Sequence, residues 1–253
     1  WDVLDLFCNY QFVGAYLNIG GEDRDNRDIV DMNNEKVLEA LSFYKGLNQS
    51  LYFDAEEVDY QTMIQSFLEG RLLYTIGTTD SLGLLQQSEM NYGISAIPPL
   101  TDSLESKGIS INYVAAVNPY SEAVGLAEEF ADYISDSYAD KCYELSGMLP
   151  CKKLDSYAIE EFAYVVEAYE KSAQLPKLMD TTNFWVELEV VLNDIWKAEM
   201  REEEAEEGLT DSSQADNIGA EEKKREQMQK QIRDLVTGEI DRAQEQMQRQ
   251  LSQ

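Results

Sequence analysis

The chemistry open to this chain is narrowed first by what it lacks. None of its 253 residues is histidine, which removes Ser-His-Asp and Cys-His nucleophile systems, histidine-ligated metals and the commonest general base. Three cysteines remain. Cys142 and Cys151 flank Tyr-Glu-Leu-Ser-Gly-Met-Leu-Pro, which can bend back and permit a disulfide, while Cys8 has no counterpart; three scattered buried thiols explain the same residues equally well. A carboxylate-pair glycosidase is the remaining catalytic option, but no motif supports it, and among 49 acidic residues some pair always looks suggestive. No catalytic residue, metal ligand or cofactor is therefore assigned, and the expectation is a protein that binds without catalysing.

Charge narrows the partners. With 49 acidic and 20 basic side chains the formal charge is −29, opposite in sign to what nucleic acid or an anionic membrane surface requires. The plainest meaning of such acidity is solubility. A hydrophobic fraction of 43% is enough for one large core or two smaller ones. No apolar run approaches the roughly 20 residues of a bilayer span. Position 1 is Trp, which reads as a cut start with the true beginning of the gene product upstream.

The elements that must position any site follow from patterning. Ile-Ser-Ile-Asn-Tyr-Val-Ala-Ala-Val at 109–117 is a β-branched run that predicts a buried strand, ended by Asn118-Pro119. Ser121 is placed to cap a helix carrying Val124, Ala127, Phe130, Ala131 and Ile134 on one face, with Glu122 at its positive end. Strand, turn and amphipathic helix together predict an α/β protein. Strands are also predicted at 71–76 and 92–97, with a polar crossing or hinge at 101–107. Helices are predicted at 7–17 (ending at Gly20-Gly21), after an Asn34 cap, at 60–68 with Gly70 as the stop, at 138–145, at 155–171 and after an Asn183 cap. Residues 22–31 read as a charged loop.

Beyond Arg201 the composition shifts. Residues 202–206 are a carboxylate run, and 208–220 is rich in Ser, Asp and Gly, so 201–220 reads as an acidic flexible insertion. Residues 221–252 form a Gln-, Glu- and Arg-rich helix with apolar residues near 3/4 spacing and an expected interruption at Gly238. That stripe docks on the domain or forms a coiled-coil seam.

Several segments taken in order resemble a known family. They are Ala40-Leu-Ser-Phe-Tyr-Lys-Gly-Leu47, Phe67-Leu-Glu-Gly-Arg-Leu-Leu-Tyr-Thr-Ile76, Tyr92-Gly-Ile-Ser-Ala-Ile-Pro98, Val117-Asn-Pro-Tyr-Ser121, Asn183-Phe-Trp185 and Glu239-Ile-Asp-Arg-Ala-Gln-Glu-Gln246. Their order and spacing are similar to the later two-thirds of extracellular solute-binding proteins of family 1, the maltose-binding-protein-like receptors of ABC importers. The likeness covers most of the chain outside about 201–233. It implies a type II periplasmic-binding-protein-like architecture of two α/β lobes closing about a hinge. Residues 1–100 and 152–253 would form the C-terminal lobe, and 103–150 the returning part of the N-terminal lobe. The strand at 109–117 would then lack its family sheet neighbours, leaving edge groups unpaired.

The resemblance also implies a carbohydrate in the cleft, ABC permease subunits as partners, and an extracellular or periplasmic location, with a lipid anchor on an upstream cysteine as one route. Sugar recognition uses flat aromatic faces with converging polar groups. By position, Trp185 and Tyr10 match stacking aromatics of the family, each with a core role as the plain alternative. Asp80 follows Ile76-Gly-Thr-Thr, where oligosaccharide receptors often carry Trp. Its carboxylate can accept two sugar hydroxyls, pair with a cationic ligand such as a polyamine, or merely cap a helix. Thr79, Gln11 and Tyr113, with Asn112 beside it, complete the candidates. A truncated chain whose last helix mediates assembly is the rival without a ligand.

Overall fold

The computed structural model describes residues 1–51, 55–152, 162–178, 182–199 and 214–252. Helix α1 (Leu6–Val13) starts where the Asp5 carboxylate accepts the amide of Cys8. It is shorter than its apolar pattern predicts, because the chain turns at Gly14 and enters strand β1 (Asn18–Gly20). The predicted charged loop holds the partner strand β2 (Asn26–Asp31), antiparallel to β1 and bulged after Ile19. Residues 18–20 and 26–31 are thus a hairpin where the sequence suggests a helix end and a loop. Among the described residues this is the only sheet.

Helix α2 (Glu35–Ser50) is capped by Asn34, as its sequence predicts, with the side chain accepting from Val37. Helix α3 (Tyr60–Leu68) is capped by Asp59. It ends at Gly70, whose φ of +73° is the left-handed conformation that glycine adopts without a Cβ penalty. Arg71 N–H reaches Ser66 O and Gly70 N–H reaches Phe67 O, the paired bonds of a Schellman stop. A short 3₁₀ turn (Thr79–Ser81) leads into α4 (Leu82–Gln87). Further on come α5 (Val124–Asp132), a π turn (Tyr133–Ser137), α6 (Ala139–Ser146), α7 (Phe162–Glu170), α8 (Thr182–Lys197) and α9 (Gln214–Leu251).

The main core joins α1, the hairpin, α2, α8 and α9. Phe184, Leu188, Val191, Leu192, Ile195 and Trp196 line the buried side of α8 at helical spacing. Tyr44 packs tilted against both Phe12 and Trp196, with ring centroids 4.8 and 5.0 Å away. Lys45 is buried, and among the described residues it meets no carboxylate; its ammonium donates to the carbonyls of Trp196 and Ala198 at the negative end of α8. Helix α9 runs through Gly238 without a break. Its stripe of Ile232, Val236, Ile240, Ala243, Met247 and Leu251 is buried against this core, so the docking alternative is the one realised. Gln244 secures the contact by accepting from the amides of Met32 and Asn33. Residues 214–220 belong to α9, not to a loop; the rest of the acidic stretch, and residues 153–161 of the predicted 155–171 helix, lie outside the described residues.

Three predicted strands do not form ladders. Among the described residues, 71–76, 92–97 and 109–117 pair with no neighbour except for an isolated parallel bridge between Ile109 and Ala173. The runs at 71–76 and 109–117 read as buried strands, yet Tyr74 is 90% and Val114 84% exposed. A β-branched run specifies a strand only where another strand supplies hydrogen bonds and cover, and no described strand lies alongside these. Residues 92–97 keep the alternation of a strand, with Tyr92 and Ile94 packed on a second small core of Leu82, Leu85 and Phe162. Helix α5 has its less exposed side at Val124, Ala127 and Ala131, continued by Ile134 in the π turn, but none of it is buried, and Phe130, expected on the same face, is 62% exposed. Ser121 does not cap it: the hydroxyl accepts from Ala123 N–H in a turn that precedes the helix.

Candidate functional site

The aromatic wall is assembled from two distant segments. Tyr10 lies on α1 and Trp185 in the first turns of α8, with ring centroids 5.8 Å apart and planes tilted by 53°. Phe184 meets Trp185 edge-on at 4.8 Å. The rings are not equivalent. Tyr10 is 3% exposed and part of the core, whereas Trp185 is only partly buried at its margin. Burial pushes the Tyr10 phenol up to about 12, while the positive charge of Arg24 pulls in the opposite direction.

Residues 105–108 lie directly behind this wall. Lys107 N–H donates to Gln11 O, Glu105 N–H to the Tyr16 hydroxyl, and Ala173 N–H to Gly108 O. Gly14 permits the approach: a Cβ there would sit 2.2 Å from Lys107 O and 2.7 Å from the Tyr10 ring. The polar crossing predicted at 101–107 therefore begins as a tight turn, bridged between Thr101 and Leu104, and then docks on α1.

The other predicted residues fall elsewhere. Gln11 is 2% exposed, and its amide donates to Cys8 O within α1. Thr79 and Asp80 belong to the 3₁₀ turn before α4. Asp80 is exposed and accepts from the Thr78 hydroxyl, with the Tyr60 hydroxyl 3.5 Å away. Its expected alternative as a helix cap is corrected: the caps of the turn and of α4 are Thr78 and Ser81, and neither makes a side-chain cap bond. Tyr60 organises this turn by accepting from Thr78 N–H. Tyr113 is 82% exposed on the unpaired 109–117 run, with Asn112 exposed beside it. The structure thus joins Tyr10 to Trp185, joins Asp80 to Thr78 and Tyr60, and leaves Tyr113 apart. The side chain of Asn183, the predicted α8 cap, lies outside the described residues.

Two participants were invisible in the sequence reading. Gly14 carries no motif, and its role follows only from how closely Lys107 approaches. Arg24 sits in a run that reads as a polar loop; the Gly20-Gly21 pair before it was the available sign of a tight turn. Among the described residues no group of Cys, Asp and Glu is placed to hold a metal ion. Cys151 is a free, exposed thiol and Cys8 is free and buried; the side chain of Cys142 lies outside the described residues. Among the described residues no helix is long and apolar enough to cross a membrane. No family model matches the chain, and no curated protein matches its sequence.

Proposed function

We propose that this chain is the ligand-binding part of an exported receptor for an ABC importer, taking a carbohydrate against the outer face of Trp185. The observation that carries the reading is the tilted Tyr10–Trp185 pair, with one ring buried as a support and the other reaching solvent, backed by a chain crossing fixed to the same helix. A pyranose offers C–H faces that stack on an indole, and its hydroxyls need polar groups nearby. In this reading Trp185 touches ligand, Tyr10 orients Trp185, and residues 105–109 form a hinge strand between two α/β lobes. The extended runs at 71–76 and 109–117 are then strands of sheets completed by a second lobe, which accounts for their β-branched composition despite their exposure. The closed receptor would be presented to permease subunits outside the cytoplasmic membrane.

A second reading rests on Asp80. Its exposed carboxylate, next to the Tyr60 and Thr78 hydroxyls, suits a cationic solute such as a polyamine. Tryptophan emission titrated with a panel of neutral sugars and with spermidine separates the two. The carbohydrate reading expects a saturable change with sugar that is lost in Trp185→Ala. A response to spermidine alone, lost in Asp80→Asn and retained in Trp185→Ala, replaces it with the cationic reading.

A further inference from the structure

We propose that helix α5 is a docking element: its row of Leu126, Phe130 and Tyr133 seats in an apolar groove of a partner protein whose rim carries lysine or arginine.

The row is set by helical geometry. Residues i, i+4 and i+7 share one side of a helix, and Leu126, Phe130 and Tyr133 have that spacing, the third in the π turn that continues α5. They are 69%, 62% and 49% exposed. Single exposed apolar side chains need no explanation, but a contiguous row on one element marks a contact surface. No residue of α5 is buried, so packing within the described fold does not account for the row. The same spacing is how an amphipathic helix presents its anchors to a groove.

The end of the row is held in one arrangement. Tyr133 stacks on Tyr138 with ring centroids 5.5 Å apart and planes 27° from parallel. Tyr138 N–H donates to Tyr133 O at 2.8 Å and closes the π turn. Beyond it Lys152 pairs with Asp136 at 3.1 Å, and the Cys151 thiol donates to Ser135 O at 2.9 Å. An anchor ordered before binding loses less entropy when bound.

Charge decides the partner. Glu129 and Asp132, three apart, lie along one edge of the row; Glu129 is three residues after Leu126 and four before Tyr133. Both are exposed, and among the described residues neither has a cationic partner. No lysine or arginine occurs between Lys107 and Lys141. A second copy meeting the same row about a two-fold axis would bring like carboxylates together, against the repulsion of two chains of charge −29. A membrane-surface helix carries lysine and arginine beside its apolar face, the opposite of what stands here. A cationic rim around an apolar groove is what these side chains complement.

The test is fluorescence anisotropy on the whole chain at physiological salt with three labelled synthetic helices. The first carries leucines on one face and lysines along its edges, reproducing one wall of such a groove. The second has glutamate for each lysine, and the third has alanine for each leucine. The first is expected to bind more tightly than either by about tenfold or more, and Leu126→Ser or Phe130→Ser to lower its affinity about tenfold, as loss of an interface anchor does. Glu129→Gln should lower it about threefold, and Glu128→Gln, across the same helix, should leave it unchanged. The comparison of helices needs no variant, so a folding defect does not remove the test. Binding that ignores Leu126→Ser and Phe130→Ser is general attraction to the acidic surface and overturns the proposal, as does equal binding of all three helices. Self-association abolished by Phe130→Ser gives the row to a second copy, and binding to phosphatidylcholine vesicles in place of the helices gives it to a membrane; either result overturns it too. The carbohydrate reading stands or falls separately, since no sugar enters the experiment.

Discussion

Gly14→Ala tests the junction of wall and crossing, and the competing terms can be weighed from the geometry. Gly14 caps α1 with φ −59° and ψ −25°, so alanine adopts its backbone freely. The substitution on its own would stabilise by about 0.5–1 kcal/mol through the unfolded chain and helix preference. Against this, the new methyl would lie 2.2 Å from Lys107 O and 2.7 and 2.9 Å from two Tyr10 ring carbons. Ordinary contact is about 3.5 Å, so the Lys107 carbonyl must retreat by roughly 1.3 Å. It cannot do so alone, because Lys107 N–H is bonded to Gln11 O. Overpacking of this kind costs about 1–3 kcal/mol, and loss of the hydrogen bond about 1 kcal/mol more. The net expectation is a destabilisation of about 1–3 kcal/mol, or a Tm lower by about 3–10 °C in a chain of this size. Urea unfolding followed by circular dichroism measures the first, and the emission of Trp185 reports the displaced Tyr10. A variant as stable as the parent with unchanged emission would refute the argument, since residues 105–109 could not then be lying against α1.

Ile240→Ala removes a fully buried side chain from the stripe of α9 and should cost about 2–5 kcal/mol. Because the stripe is already buried, sedimentation of the parent chain should show no dimer through α9; a concentration-dependent dimer abolished by the same substitution would contradict its docking. The Tyr10 phenol, raised by burial to about 12, keeps its proton in the fold where the unfolded chain loses it, so this stability is complete below pH 10 and is lost as pH rises from about 10 toward 12. Urea midpoints of Tyr10→Phe should fall less steeply than the parent's over that window, and parallel curves would refute the assignment. Val114→Lys, at a position 84% exposed, should leave stability within about 0.5 kcal/mol of the parent while weakening binding of the dye ANS; a fall of more than 1 kcal/mol would mean that Val114 is covered in solution. Cys151 is exposed, whereas burial pushes the Cys8 thiol up to about 12, so brief alkylation followed by peptide mapping should modify Cys151 and spare Cys8. Equal modification of the two would contradict the packing of α1.

Legibility in the sequence divides along a physical line. Caps and stops were readable because they are local: Asn34 accepts from Val37 three residues on, and Gly70 ends α3 through bonds confined to one turn. The inward faces of α8 and α9 were readable because their apolar spacing is a property of the helix itself. The runs at 71–76 and 109–117 failed for the opposite reason. Their composition records a preference that only neighbouring strands can realise, and those neighbours are not a property of the run. The β1–β2 hairpin was hidden by its charged residues, since a short exposed strand needs no alternation of apolar side chains. At the site, Trp185 and Tyr10 were proposed by resemblance and do meet, but no spacing in the sequence foretold that one would be buried and the other left at the margin. Arg24 escaped because its distinguishing property is a backbone angle, a φ of +62°.

The wall and the crossing are mechanically one object, and this gives a hinge reading its physical content. Tyr10 touches Trp185 on one side. On the other it lies beside Gly14, where the Lys107 carbonyl leaves too little space even for a methyl group. Close-packed interiors transmit displacement because they hold no slack to absorb it. On the proposed receptor reading, a ligand that turned the indole would move the phenol, and a moved phenol would press on Lys107. The bonds that Lys107 N–H donates to Gln11 O and Ala173 N–H to Gly108 O would then carry that displacement to both ends of the 105–109 segment. Coupling of this kind needs a part with two arrangements, and the proposed hinge reading assigns that part to residues 105–109. They are held by a few backbone bonds and continue directly into a run that, beyond the Ile109–Ala173 bridge, pairs with no strand among the described residues.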